Sequence, residues 1–435
     1  MSDLNQKVVI AGAGIAGLSA GIYLKRAGYT NITYVEASDK PGGRLRTDII
    51  DGYTLNRGFS LINTQYKYLS EIVDIGKLDL KYLKQGALVM KRGQLKRITS
   101  PFKRSLFVMR ILMSDLGSFK DKVRMIKKRI ELDQTTEEEI FEKYELKTSS
   151  YLRKKGFSSH IIHDFFKPYF SAFTKEEELS SSRRLFDYLF SIHVRGKNGL
   201  PAKGIESVVE QMVSTLNEAR FIFNTEVTDF KDNQVYLSNG SPIDCDIFII
   251  ATEQNQLYFK FKQGAREMPH RSSTCMYFSA DKKPFMDAMI CVNANDPKLI
   301  NNLIVITNIS ESFAPKNKEL ICVTLNGMAR ADDSVLENET KNELQKAFGD
   351  QVLNWKLLKI YRTECALPNQ DTVFGKRRIL ELRLDKNIYA CGDHLLYGTK
   401  DAAVKSGKMV AEIIGRDHNK DHVIEKRQKY SDLFS

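Results

Sequence analysis

The sequence predicts an α/β fold in which a Rossmann-type nucleotide-binding domain is interleaved with an α+β domain made of a mixed sheet and a helical insert. Three observations predict it. A short β-branched run at residues 7–11 ends on Gly12-Ala-Gly14-Ile-Ala-Gly17, and a helical pattern follows over 15–27. From about residue 76 to 194 the texture turns to long helical patterns rich in Lys, Arg, Phe and Leu. Short apolar strands then return at 246–251 and 387–391, the second running into Gly392-Asp393 and a helix over 402–414. These observations assign residues 1–75, 195–260 and 355–416 to the nucleotide domain. Residues 76–194 and 261–354 form the second domain with its helical insert, and 417–435 a peripheral charged tail.

The elements follow in order. A second strand at 31–36 completes a βαβ opening, and within the insert 158–170 and 180–193 carry helical periodicity. A loop and amphipathic helix at 200–217 lead to strands at 221–228 and 234–237, with a turn at Asn239-Gly240. Alternating strands at 273–279, 303–309 and 320–325, then a helix at 334–348, suit a mixed sheet.

At 435 residues the chain exceeds what one hydrophobic core serves, and 42% hydrophobic with 28% charged residues is an ordinary globular composition. Six cysteines lie far apart with no CxxC pair, which argues against a zinc site or a disulfide framework and for a reducing cytoplasm. The apolar stretch 8–24 is broken by Gly12, Gly14, Gly17 and Gly21 and lacks a basic leader, so it reads as strand, turn and helix rather than signal peptide. No apolar run reaches the roughly 18 residues of a spanning helix. HExxH and Walker A motifs are absent, and His160 and His163 read as solvated or core-edge residues.

The net charge of +12 is uneven. Residues 81–130 hold 15 Lys plus Arg against Asp115 and Asp121, around the apolar centre 106–113. That combination suits an anionic membrane surface better than nucleic acid. The other reading is a basic face neutralised locally by the seven acids of 131–145.

Gly12, Gly14 and Gly17 follow a strand and open a helix, the context a dinucleotide fingerprint demands. The first glycine makes the turn, the second admits the pyrophosphate, the third lets helix pack on strand, and Ile15 and Ala16 begin the helix whose N-terminus faces phosphate. Glu36, followed by Ala37, stands 19 residues after Gly17 at the end of the second strand, where a carboxylate accepts the ribose hydroxyls. Pro41-Gly42-Gly43-Arg44 adds a pliable backbone and a fixed guanidinium to clamp a diphosphate, which points to FAD rather than NAD.

This series resembles the flavin amine oxidase and phytoene desaturase superfamily, whose FAD domain is of the glutathione-reductase-like kind. The resemblance implies that Arg44 contacts the pyrophosphate and that the segment 52–61, with Gly58 and Phe59, passes beside the flavin ring. It implies that Asp393, after Gly392, binds the ribityl and phosphate side. The helix at Ala402 and Ala403 would aim N–H groups at the flavin, although the family has Gly where Ala402 stands, with Lys400 and Asp401 just before it. Val227 would meet adenine through its backbone, and Ala251-Thr252 resembles a family strand crossing near the cofactor. Residues 165–170, 179–182 and 200–204 are similar to the phytoene-desaturase-related branch. No lysine matches securely the one amine oxidases place beside flavin N5; Lys282 and Lys283 lie in the right region at a strand end.

The implied reaction is two-electron oxidation or desaturation of a hydrophobic substrate (isoprenoid, polycyclic or amine), with hydride passing to FAD. A redox-neutral flavin-dependent isomerase or mutase, and an FAD-binding protein without turnover, are the alternatives.

Overall fold

The computed structural model describes residues 3–99, 117–253, 256–262, 269–373 and 381–431. The apolar centre 106–113 of the basic stretch lies outside them. In chain order, the strands of the two main sheets are β1 (Val8–Ala11), β2 (Ile32–Val35), β3 (Gly86–Lys91), β4 (Gln94–Thr99), β5 (Arg220–Ile222), β6 (Ile247–Ile250) and β7 (His270–Ala280). They continue as β8 (Ile290–Asn293), β9 (Ile300–Val305), β10 (Glu319–Asn326), β11 (Lys356–Pro368), β12 (Arg383–Asp385) and β13 (Ile388–Ala390). The helices used below are α1 (Ile15–Arg26), α2 (Phe119–Asp133), α3 (Lys167–Thr174), α4 (Arg183–Arg195), α5 (Asp333–Phe348) and α6 (Lys400–Ser431).

The first sheet runs β5-β2-β1-β6-β13-β12. β1 pairs in parallel with β2 and β6, and β6 with β13. All four strands are buried along their length, which is why they read as Val/Ile-rich runs rather than alternating ones. α1 follows β1 and α6 follows β13, so both helices begin at the carboxyl edge of the sheet, where open α/β sheets bind ligands. They cross closely at Gly407, where a Cβ would stand 2.2 Å from Ser19 Oγ and 2.6 Å from the Ala16 carbonyl oxygen. α6 starts two residues earlier than the sequence suggests and continues through Gly415 into the charged tail.

The second sheet runs β11-β7-β10-β9-β8-β3-β4 and is antiparallel except where β3 joins β8. Strand alternation divides its core. Met276 and Phe278 pack with Leu336, Leu344 and Phe348 of α5 and with Trp355. Cys275, Tyr277, Cys322 and Ile304 pack with Tyr53, Leu55 and Leu61.

Two stretches differ from expectation. Residues 86–99, inside the expected helical insert, form the hairpin β3–β4, whose turn holds Arg92 and Gly93 at φ 51° and 73°. The Lys/Arg-rich texture conceals its short apolar strand. β11 pairs along β7 rather than joining the nucleotide sheet, whose third stretch begins with β12; its length matches the long edge that β7 offers.

The helical part hangs on one buried carboxylate. Asp187 of α4 meets Lys128 of α2 at 2.8 Å and Arg183 at 3.1 Å, and all three are buried. The expected helix at 158–170 is interrupted, with a π-turn at Ile162–Phe166 leading into α3.

Candidate active site

Four loops converge at the carboxyl edge of the first sheet. Gly12, at φ 102°, turns so tightly against β6 that a Cβ would stand 2.9 Å from the Ala251 carbonyl oxygen and 3.4 Å from Thr252 Cγ2. At Gly17 a Cβ would lie 2.1 Å from the Gly12 carbonyl oxygen, so helix and strand touch only because it is absent. A Cβ at Gly14 meets nothing within 4 Å: this side of the turn is open. Gly14 is also the N-cap of α1 without any side-chain cap, leaving the N–H groups around Ile15 and Ala16 directed at the open space.

The second loop closes over the first. Gly42 N–H donates to the Ala13 carbonyl at 2.9 Å, and a Cβ at Gly43, φ 55°, would come within 3.3 Å of Gly14 Cα. Glu36 is buried at the end of β2 and accepts from Ala13 N–H at 2.7 Å and from Ser38 N–H and Oγ at 3.0 and 2.7 Å. Ala37 is exposed beside it. Thr225 N–H donates to the Glu36 carbonyl at 3.1 Å, which sets Val227 on the Glu36 side of the groove.

Arg44 and Asp393, 349 residues apart, meet at 2.5 Å, and Arg44 also donates to the Ala366 carbonyl at 3.0 Å. Burial opposes the charge on both, but each holds the other ionised, with Asp393 below the usual carboxylate range. Gly392 N–H donates to Ser406 Oγ of α6 at 2.9 Å, tying this loop to the helix. Thr252 Oγ1 is buried with no partner among the described residues.

At the start of α6, Ala402 N–H donates to Thr399 Oγ1 at 3.1 Å and Ala403 N–H to the Thr399 carbonyl at 3.0 Å. The expectation that these two N–H groups point at a ligand is therefore corrected: Thr399 caps them, and the helix opens at Lys400. Burial, with Arg44 close by, pushes Lys400 down to about 8. Asp401 turns the other way, accepting from Leu69 N–H at 2.9 Å, and burial pushes it up to about 7.

Beside the groove lies a small chamber walled by both apolar and polar side chains. Gly58, at φ 99°, carries Phe59, which packs against both the nucleotide core and the inner face of the second sheet. A narrow cleft reaches in, lined by Leu61, Tyr169, Phe173 and His193 together with the polar Lys84, Gln85 and Asn198. His193 packs its ring 4.4 Å from that of Phe173. Its Nδ1 is buried without a hydrogen-bond partner among the described residues, and burial pushes the ring down to about 4, so the imidazole is neutral at pH 7. Nothing local marks His193, Cys275 or Cys322 in the sequence; the alternation of 273–279 alone puts Cys275 and Tyr277 on one face. Lys283 pairs with Glu319 at 3.8 Å instead of entering the chamber. His160 is exposed and near Asp164, and no group of metal-binding side chains exists among the described residues.

A glycine turn on a helix N-terminus, a buried carboxylate at the end of β2 and a guanidinium–carboxylate clamp form a groove of the dinucleotide-binding kind. A model of the flavin-containing amine oxidoreductases matches residues 15–415, and the chain belongs to that family. That family is one of flavin-containing oxidoreductases, and the cofactor is FAD. An L-amino-acid oxidase of Crotalus adamanteus is 26% identical over 321 residues, 65% of this chain and 59% of that protein. A 4,4'-diapolycopene oxygenase of Methylomonas sp is 37% identical over 76 residues, 18% of this chain and 15% of that protein. The chain thus spans less than two thirds of the length of both. A structure from Exiguobacterium sp. 255-15, provisionally assigned as a protoporphyrinogen oxidase, superposes with a TM-score of 0.73 at 19% identity, covering 95% of this chain and 99% of that one. At that identity the likeness carries the fold alone. No helix among the described residues is long and apolar enough to cross a membrane.

Proposed function

We propose that the chain oxidises or desaturates an apolar small molecule seated in the chamber, with FAD held along the groove from Glu36 to α6. The observation that carries this reading is the adjacency of Phe59, Leu61 and the cleft to the groove closed by Arg44 and Asp393. Bound FAD supplies the acceptor for a hydride equivalent. The chain's own residues do the rest. Glu36 fixes the adenosine end, and the first turn of α1 with Arg44 balances the diphosphate charge. Tyr169, Phe173 and Leu61 exclude water and orient the substrate, which strengthens every remaining electrostatic contact. Neutral His193 is one of the cleft's hydrogen-bonding groups, with Gln85 and Asn198.

Anaerobic mixing of the FAD-loaded protein with isoprenoid, polycyclic and amine compounds tests this. Bleaching of the flavin absorbance by an apolar compound, blocked by Phe173→Lys, is expected. Bleaching by none, with turnover appearing only after the flavin is pre-reduced, would replace oxidation by a redox-neutral reaction. We further propose that substrate arrives from an anionic bilayer through the basic residues of 81–130. Co-sedimentation with phosphatidylglycerol vesicles at low salt is expected, and an unbound supernatant would contradict it.

A further inference from the structure

Two thiols meet on the inner face of the second sheet. In the register of β7 against β10, Cys275 stands opposite Thr324 and Tyr277 opposite Cys322, so the two cysteines are diagonal neighbours on one face. Their sulfurs lie 3.2 Å apart, and both residues are buried. A disulfide bond spans about 2.05 Å, so a sulfur movement of about 1 Å separates the pair from a covalent link.

The surroundings single out Cys275. The Cys322 S–H donates to it, and against its burial this hydrogen bond, the nearby Lys175 and the Phe59 N–H together hold its thiol below the ordinary range. Burial pushes Cys322 up, takes Cys245, Cys365 and Cys391 up to about 12, and raises Cys291 as well. Lys175 follows α3 as its C-cap, and its Nζ is buried with no hydrogen-bond partner among the described residues. Burial lowers it, and the thiols of Cys275 and Cys322 raise it. Amine and thiol are each other's counter-group, so the proton of Cys275 has Lys175 to move to. The thiolate left behind is the nucleophilic form of a cysteine. Leu61, Leu83 and Phe173 belong both to the cluster around the thiols and to the lining of the cleft, so the cleft ends at the cluster that holds the pair.

We propose that Cys275 and Cys322 are a redox-active dithiol that closes to a disulfide when hydrogen peroxide enters the cleft, with Lys175 as the group that takes up the proton of Cys275. The Cys275 thiolate attacks one peroxide oxygen, the O–O bond breaks, and the departing hydroxide leaves as water with the proton held by Lys175. Cys275 is then a sulfenic acid. The Cys322 sulfur displaces its hydroxyl, the S–S bond forms, and that hydroxyl leaves as a second water with the proton of Cys322. Two thiols give up two electrons, and one peroxide is reduced to two waters. Closing the bond draws the Cys275 sulfur away from the Phe59 N–H, so oxidation is felt by the residue that packs against both the nucleotide core and the second sheet.

The test takes the purified full chain, reduced with dithiothreitol and then freed of it, and adds hydrogen peroxide in increasing excess. Peptide mapping by mass spectrometry without reduction is expected to show Cys275 and Cys322 joined, with the loss of two hydrogens reversed by dithiothreitol and the other four cysteines still open to alkylation. Lys175→Met should slow the closure about tenfold while the far-ultraviolet dichroism is unchanged. Cys322→Ser should halt the reaction at a Cys275 sulfenic acid that dimedone traps. The wild-type map decides even where a variant fails to fold. Both thiols still free at peroxide excess, a bond to any other cysteine, or Cys275 carried on to sulfinic acid in the wild type would each overturn the inference. Closure as fast in folded Lys175→Met as in the wild type would overturn the role given to the lysine.

Discussion

The groove and the chamber are built on opposite principles. The groove is backbone: glycine turns, helix N-termini and one clamp, Arg44 with Asp393, that closes across 349 residues of chain. The chamber is side chain: aromatic rings, a neutral imidazole and polar groups drawn from separate elements. A backbone site tolerates few residue types at fixed spacings, whereas a side-chain site tolerates many sequences with the same shape and polarity. The first holds the cofactor that defines the family, and the second sets what that cofactor acts on.

Four experiments sharpen or break this division, from the largest effect to the smallest. Asp187→Ala leaves Lys128 and Arg183 buried without their counter-charge, and a loss of about 3–5 kcal/mol is expected in urea denaturation followed by circular dichroism. If groove and chamber are separately built, this variant retains FAD at low denaturant; loss of FAD in its folded form would show that the two are one unit. Gly17→Ala drives a methyl into the Gly12 carbonyl, 2.1 Å away, and should cost about 3 kcal/mol with loss of bound flavin. Arg44→Met removes the cation of the clamp and should weaken FAD about tenfold or more, measured by fluorescence titration of the apoprotein, and lower the apoprotein's melting temperature because Asp393 is left buried without its counter-charge.

The smallest effect concerns pH. Burial raises Asp401 to about 7 in the folded chain, with Glu137 adding to the rise and Lys405 opposing it, so the folded state holds its proton longer than the unfolded one. Its contribution is present at low pH and lost as pH rises from about 4 to about 7. His193, lowered to about 4, works in reverse: its contribution is present above about 6.5 and lost as pH falls toward 4. Thermal melts between pH 4.5 and 7.5 should therefore show a steeper rise of stability with pH in Asp401→Asn than in the wild type, and a shallower one in His193→Gln. The changes should be about 2 kcal/mol across the window, and parallel profiles for all three would contradict both assignments.

What the sequence disclosed follows the same division. Gly12, Gly14 and Gly17 declare themselves because the turn, the open approach and the helix contact each forbid a Cβ or favour none, and Glu36 and Arg44 stand at distances fixed by those turns. Asp393 is legible from the strand before it, although its contact with Arg44 is not. The start of α6 was misplaced because Thr399, a short polar residue, caps a helix that begins at Lys400. β3 and β4 were hidden in basic texture, and β11 reads like any strand until β7 is there to receive it. Lys175, His193, Cys275 and Cys322 carry no local pattern at all. They become a site only when α3, α4 and the inner face of the second sheet are brought together.

The most direct test of the central claim is the cofactor itself. Purified protein should show a flavin spectrum, acid precipitation should release FAD identified by chromatography, and the double variant Glu36→Ala, Arg44→Met should be folded and colourless. A protein that takes up no FAD, or a double variant that holds it as tightly as the wild type, would contradict the account of the groove.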